Sequence, residues 1–307
     1  MTCDLTNPIF TTEAAAVAHL EASRWPQGVT CPLCGADRPK KMEGATQAGM
    51  FLCPDCRGKF TVRTGTVWER SHIPLHKWLL ATHLMAASKK GISAHQLHRM
   101  LGITYKSAWF MAHRIREAMA PAADAGPVGG EGKIVEVDET EIAPSRKTKV
   151  LGGRKRSNNK QFVALVERNG KVRSAVIDGR NMSAVRAAVK ANIDPASTMH
   201  TDGAQFYKGY PLSADRASVD HNKTYVIPAD GNKPAVHTNS AEGYFSLVKR
   251  GLVGTYHHVS EAHLPRYLAE FDFRMNTRTK LGFNDLTRTA AIVKAAEGKR
   301  LTYRQVG

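Results

Sequence analysis

The sequence predicts an α/β protein whose large sheet domain follows two small modules, a cysteine-stapled ribbon and a pair of short helices. Three observations predict it. Two Cys-x2-Cys pairs, Cys31/Cys34 and Cys53/Cys56, are separated by eighteen residues near the N-terminus. Two helical patterns then meet at Gly102, and from Lys133 onward short apolar strand patterns alternate with helical ones. The implied order is a short helix and ribbon over 1–70, the helix pair over 71–120, a linker over 121–132, the sheet domain over 133–280 and a helical tail over 281–307.

Composition narrows the class. The 307 residues suffice for two domains at roughly 100–200 residues each. No apolar run nears the roughly 18–20 residues of a membrane-spanning helix. Met1-Thr2-Cys3-Asp4-Leu5 lacks the basic start and apolar core of a secretory signal. A cytoplasmic location, with no membrane partner, is therefore expected. The 44 Lys and Arg against 27 Asp and Glu give a net charge of +17 and a pI near 9.8. Such an excess suits a polyanion, because lysine and arginine neutralise phosphates and release condensed counterions.

Glu13 to Arg24 reads as a helix with Ala16, Val17 and Leu20 apolar, ended by Trp25-Pro26. The four cysteines that follow have spacing suited to one tetrahedral zinc. Gly35 and Gly58 are available for the turns behind each pair, and Gly49-Met50-Phe51-Leu52 ends a hairpin between them. Disulfides are disfavoured without a secretory signal, and a redox pair would not explain two copies; Cys3 stands outside the pattern. Phe60-Thr61-Val62 and Thr66-Val67-Trp68 read as further strand, and Pro74 opens a helix with Leu75, Trp78, Leu79, Thr82 and Met85 on one face.

Ser93 can cap a helix burying Leu97 and Leu101, Gly102 permits a sharp turn, and Thr104 can cap a second helix with Ala108, Met111 and Ile115 inside. This is a helix-turn-helix pattern, with Tyr105, Lys106 and Ser107 where recognition helices meet base edges and Arg114 further along. Pro121 to Gly132 is rich in Gly, Pro and Ala and reads as a linker. Strands then follow at Lys133–Asp138, Gln161–Glu167 and Val172–Asp178, the last two joined by Arg168-Asn169-Gly170. A helix over Ser183–Asn192, a strand over Thr198–Asp202, a helix over Ala204–Tyr207, a strand over Thr224–Ile227 and helices over Thr238–Gly251, Ser260–Asn276 and Asp285–Glu297 complete the order. That order is the one of a ribonuclease H-like domain, in which the first and fourth strands are neighbours. Asp138 and Asp202 would then lie together despite 64 intervening residues.

Those two aspartates and Glu242 are the candidate chemistry. Carboxylates at two strand ends and on one helix can hold a pair of divalent ions for in-line attack on a phosphodiester. Mg²⁺ or Mn²⁺ suits them, since hard cations take oxygen ligands. Asn239, three residues before Glu242, is the rival third ligand. Lys249 follows Glu242 by nearly two turns on the same side and can meet a substrate phosphate; Arg250, beside it, points elsewhere but adds to the DNA-facing charge. Glu139, Glu141 and Asp178 fit less well as ligands, and His237 can touch substrate. The segment 145–160 carries Arg146, Lys147, Lys149, Arg154, Lys155 and Arg156 without an acid, as a DNA-gripping loop would.

Cys31-Pro-Leu-Cys34-Gly35, Cys53-Pro-Asp-Cys56, Val137-Asp138-Glu139-Thr140, Thr201-Asp202-Gly203 and His237-Thr238-Asn239-Ser240-Ala241-Glu242-Gly243 together resemble bacterial insertion-sequence transposases. The similar group has a zinc ribbon ahead of a DDE, integrase-like domain, and the resemblance runs from about Ala14 to Asn276. It implies cleavage at terminal inverted repeats, then attack of the freed 3′-hydroxyl on target DNA with Mg²⁺. It also implies a dimer or larger assembly on double-stranded DNA, at the nucleoid. The competing readings are a DNA-binding regulator with an idle catalytic domain and a hydrolytic nuclease that cuts without joining.

Overall fold

The computed structural model of the chain describes residues 4–44, 49–142, 160–177, 181–204, 207, 212–213 and 215–302. Its contacts divide the chain into two compact units, residues 1–120 with 282–307, and residues 121–281. Among the described residues, no helix is long and apolar enough to cross a membrane.

The first unit begins with a short turn of helix, α1 (Pro8–Thr11), and α2 (Glu13–Arg24), followed by β1 (Lys40–Lys41), β2 (Met50–Leu52) and β3 (Lys59–Thr61) in an antiparallel sheet. Phe51 and Phe60 are cross-strand partners whose rings stack at 5.5 Å, and Trp25 closes on both edge-on. Such aromatic contacts contribute about 0.5–1.5 kcal/mol beyond area burial. The continuation over Thr66-Val67-Trp68 is a turn rather than the expected strand, with one bridge from Thr66 to Glu297. Locally, the Thr66 hydroxyl donates to the Arg63 carbonyl and accepts from the Trp68 amide, which turns the backbone away from a ladder.

Helix α3 (Leu75–Ala87) lacks a capping side chain of its own. Glu13 of α2 supplies one, accepting from the Leu75 amide at 2.5 Å and bridging Arg63 at 2.9 Å. α4 (Ala94–Leu101) and α5 (Tyr105–Met119) each start on a side-chain cap, Ser93 to the Gln96 amide and Thr104 to the Ser107 amide. Gly102 between them has φ +59°, a left-handed conformation that glycine adopts without a Cβ clash. The final helix (Asp285–Ala295) packs on α3, and His83 meets Thr289 at 3.0 Å. The segment read as a tail thus completes the first unit.

In the second unit β4 (Ile134–Ile142), β5 (Lys160–Glu167) and β6 (Val172–Ile177) run antiparallel, then come α6 (Met182–Asn192), β7 (Thr198–Asp202) and β8 (Asp215–Val219). The sheet order is β6-β5-β4-β7-β8, with β7 parallel to β4 and β8 parallel to β7. α6 covers one face, over Val135, Val137, Val163, Leu165 and Met199. α7 (Asn239–Gly251) and α8 (Leu264–Asn276) cover the other, over Phe162, Ala164 and Val166. The result is a mixed α/β layer arrangement with a core on each side of the sheet.

Several expectations need correction. β4 runs on to Ile142, so Asp138 is mid-strand rather than at its end. The fifth strand is Asp215–Val219, not Thr224–Ile227, which forms a single bridge between Ile227 and Val236. α8 starts at Leu264, after a separate turn over Glu261–His263. Val128, in the stretch read as linker, is buried and pairs with Ile193 beside the sheet. Of the helix expected over Ala204–Tyr207, residues 205 and 206 lie outside the described residues, as does Asp178; Tyr207 is fully buried.

Candidate active site and zinc centre

The four ribbon cysteines offer sulfurs that all lie within 4.8 Å of one another. The Cys31–Cys56 and Cys34–Cys53 pairs are 3.8 and 3.6 Å apart. A tetrahedral zinc with Zn–S near 2.3 Å requires sulfurs about 3.8 Å apart, so these residues are positioned to bind one zinc ion. Each knuckle is tied by its own backbone, Cys31 N–H to the Ala36 carbonyl and Cys53 N–H to the Gly58 carbonyl. Gly35 takes φ +80° as its turn requires. At the second knuckle Arg57 takes the left-handed conformation instead, with φ 56°, and a Cβ at Gly58 would sit 3.2 Å from Cys56 Sγ. Burial opposes ionisation of Cys31, yet the amides of Leu33 and Cys34 and the neighbouring thiols bring it to about 7.

The acids gather on the sheet. The register pairs Val137 with Thr201 in parallel, so Asp138 and Asp202 are the next residues along adjacent strands, which lie roughly 4.8 Å apart. Side chains alternate along a strand. Val135, Val137 and Met199 face α6, so Glu136, Asp138, His200 and Asp202 face the α7 side. α7 brings Asn239 and Glu242 in its first turns, both exposed, with Lys249 and Arg250 exposed near its end. Burial pushes the Asp138 carboxyl up to about 7, and the charges of Asp202, Glu139 and Glu242 push in the same direction. Asp202 and Glu242 are thus near enough to Asp138 for their charges to act on it, although among the described residues only the four cysteines bring their ligand atoms close enough together to hold one metal ion. Glu139 points to the opposite face, where its carboxylate accepts from the buried Tyr207 hydroxyl at 2.5 Å, and Glu141 accepts from Gln161.

Among the other anticipated residues, Tyr105 and Lys106 are exposed at the start of α5, and Tyr105 stacks on His95 at 4.2 Å. Ser107 is half-buried and bonded to Thr104. Arg114 is a correction. It is buried, donates to the Glu69 and Leu301 carbonyls at 2.9 and 3.2 Å, and lies over the Phe110 ring, so it braces the first unit rather than facing DNA. The face α5 turns inward at Met111–Arg116 determines this. Arg250 donates to the Ser246 carbonyl within its own helix. Arg146, Lys147, Lys149, Arg154, Lys155 and Arg156 lie outside the described residues.

Two participants escaped the sequence reading. Glu136, fully buried, accepts from Arg168 Nε at 2.7 Å, from the Ser240 amide at 2.7 Å and hydroxyl at 3.1 Å, and from the Ala241 amide at 3.3 Å. His237 Nδ1 is 3.2 Å from the same carboxylate, so this histidine faces an internal partner. Arg168 also donates to the carbonyls of Ala235 and His237 and to His200 Nδ1. Burial and the Arg168 charge bring His200 down to about 4, which leaves a neutral ring whose bare nitrogen accepts. The second is His221, whose Nε2 is 3.9 Å from Glu242 and 3.2 Å from the Thr238 hydroxyl. An acid on the Asp138 side of an apolar strand was the available signal for Glu136; His221 lies in an irregular stretch with none.

Residues 11–59 match the transposase zinc-ribbon domain, and residues 128–276 match the ISXO2-like transposase domain. The two together take in well over half of the chain and define its class, a zinc-ribbon protein with a transposase domain. A protein described as an uncharacterized protein in transposable element ISH50, from Halobacterium salinarum, is 29% identical over 290 residues, covering 89% of this chain and 94% of the relative. The chain thus carries a transposase zinc ribbon and an ISXO2-like transposase domain, and is similar over most of its length to a protein of a transposable element.

Proposed function

We propose that the chain is a DDE transposase that binds the terminal inverted repeats of an insertion sequence, cuts there and transfers the freed 3′-hydroxyl to target DNA. The observation that carries this reading is the parallel register that sets Asp138 beside Asp202 on the face covered by the helix of Glu242. The strand order β6-β5-β4-β7-β8, three antiparallel strands followed by two parallel ones, supports a ribonuclease H-like domain. Asp138, Asp202 and Glu242 would hold two Mg²⁺ or Mn²⁺ ions, with Asn239, one turn before Glu242, assisting or substituting. Bound there, such ions activate the attacking oxygen and stabilise the leaving one.

The chain's own residues do the rest. Asp138, held near neutrality by burial, must give up its proton to act as a ligand. Lys249 is about 10 Å further along α7 than Glu242 at 1.5 Å per residue, so it grips a flanking phosphate rather than the reacting one. In the first unit, α4 and α5 serve as a helix-turn-helix, with Tyr105, Lys106 and Ser107 toward the bases and the ribbon stapled by one zinc. The basic stretch with Arg154, Lys155 and Arg156 adds phosphate contacts, and two element ends require at least two copies of the chain.

The test is strand transfer with Mg²⁺ on terminal-repeat DNA. Covalently joined donor and target strands are expected, and Asp202→Ala should lose them. Cleavage without joining would convert the reading to a hydrolytic nuclease. Specific binding with no metal-dependent cleavage would make the chain a regulator, and retained activity in Asp202→Ala would remove the acids from the chemistry.

A further inference from the structure

We infer that Glu136 is a positioning residue that docks the metal-holding helix against the metal-holding strand, an inference that rests on the reading of Asp138, Asp202 and Glu242 as the metal site. α7 carries Glu242 and Asn239 but has no side-chain cap at its own N-terminus. The first-turn amides of a helix lack intrahelical acceptors, and here Glu136 Oε2 accepts two of them, from Ser240 and Ala241. Glu136 lies two residues before Asp138 on β4 and on the same side of the strand. One carboxylate therefore locks the height and rotation of α7 relative to Asp138.

Oε1 is held in turn. Arg168 donates to it at 2.7 Å while its other nitrogens reach the Ala235 and His237 carbonyls that lead into α7, and His200 on β7. The guanidinium thus ties the strand of Asp138, the strand of Asp202 and the approach to the Glu242 helix into one cluster. A charge at 0% exposure is costly unless paired, and here the pairing coincides with the three elements that the chemistry needs in register. A carboxylate at a helix N-terminus also gains from the helix dipole.

Glu136→Gln is the probe, in the zinc-loaded full chain. It keeps the size of the side chain but turns one oxygen into a donor that must face either Arg168 or the helix amides. Two readouts follow. With zinc bound and no Mn²⁺ or Mg²⁺ added, amide exchange of Ser240 and Ala241 should quicken roughly tenfold, the loss of about one hydrogen bond's worth of protection, while exchange in the ribbon stays as in wild type. Mn²⁺, titrated in and followed by the resonance of the free ion, should bind about 10–100-fold more weakly, the usual effect of removing a group that orients metal ligands.

Should Glu136→Gln not fold, Arg168→Lys decides by the same two measurements, with smaller shifts in the same direction. Wild-type exchange and wild-type Mn²⁺ affinity in the variant would overturn the inference. The metal-site reading has its own control: Asp138→Asn must lose Mn²⁺ binding. If it binds as well as wild type, that reading fails first; if it loses the ion while Glu136→Gln is unaffected, only the positioning role falls.

Discussion

Asp138 is a group the fold holds at a cost. Its carboxyl is raised to about 7, chiefly by burial. A raised carboxyl favours the folded state below its unfolded value near 4 and loses that contribution as pH climbs through the folded value. Metal-free protein should therefore unfold more easily at pH 8 than at pH 5. Asp138→Asn should abolish strand transfer yet flatten that pH dependence and raise stability at pH 8, by on the order of 2 kcal/mol. Thermal melts across that range check it. Some slope will remain, because buried Asp272 is also raised to about 6 by burial, although Tyr244 and Ser174 donate to it. An unchanged slope in Asp138→Asn would place the strain elsewhere. Zinc is tested more simply: Cys53→Ser should bring bound metal from one per chain to none by elemental analysis, since a site missing one thiolate loses most of its affinity.

At the scale of elements, the helix pair makes separable predictions. Thr104→Ala removes the hydroxyl that caps α5 and should destabilise the first unit by about 1 kcal/mol. Lys106→Ala should reduce the salt dependence of terminal-repeat binding by about 0.9 in log–log slope, one phosphate contact. Fluorescence anisotropy across a salt series separates the two.

Elements with a strong local signal were legible in the sequence. α2 and β7 have the bounds their apolar spacing implies, and the caps Ser93 and Thr104 bond as their residue types suggest. β8 was not legible. Asp215-Arg216-Ala217-Ser218-Val219 buries one side chain, Val219, and sits at the sheet edge, where charged residues discourage pairing with other chains. Thr224–Ile227 carries the β-branched look of a strand, but Tyr225, Val226 and Ile227 are exposed, and among the described residues the stretch pairs only through the single bridge from Ile227 to Val236. In the site, the two aspartates could be set on neighbouring strands from the order of the elements, as the parallel β4–β7 register has them. Glu136 and Arg168 join residues more than thirty apart, and nothing local announces that Ser240 needs an acceptor.

On the scale of the whole molecule, the first unit is built from both ends of the chain. Arg24 donates to the Val62 and Thr64 carbonyls and bridges Glu297 at 3.0 Å, and the Val67 amide donates to the Ala296 carbonyl. Removing residues 282–307 should uncover the α3 surface that the final helix covers and lower the melting temperature of the first unit. Its zinc content should persist, because all four ligands precede residue 57. Proteolysis of the zinc-loaded truncation checks this; full resistance would show that α3 needs no cover.

The bridge between Glu297 and Arg24 also carries a message about synthesis. Residues 121–281 are an insertion in the first unit, so a ribosome must finish the sheet unit before the first unit can close. A product cut short by an early stop or frameshift would lack the segment that seals its own N-terminal unit. If the first unit binds the element's ends as proposed, such fragments would be poorly equipped to hold them against full-length copies, and damaged reading frames would fall silent instead of becoming inhibitors.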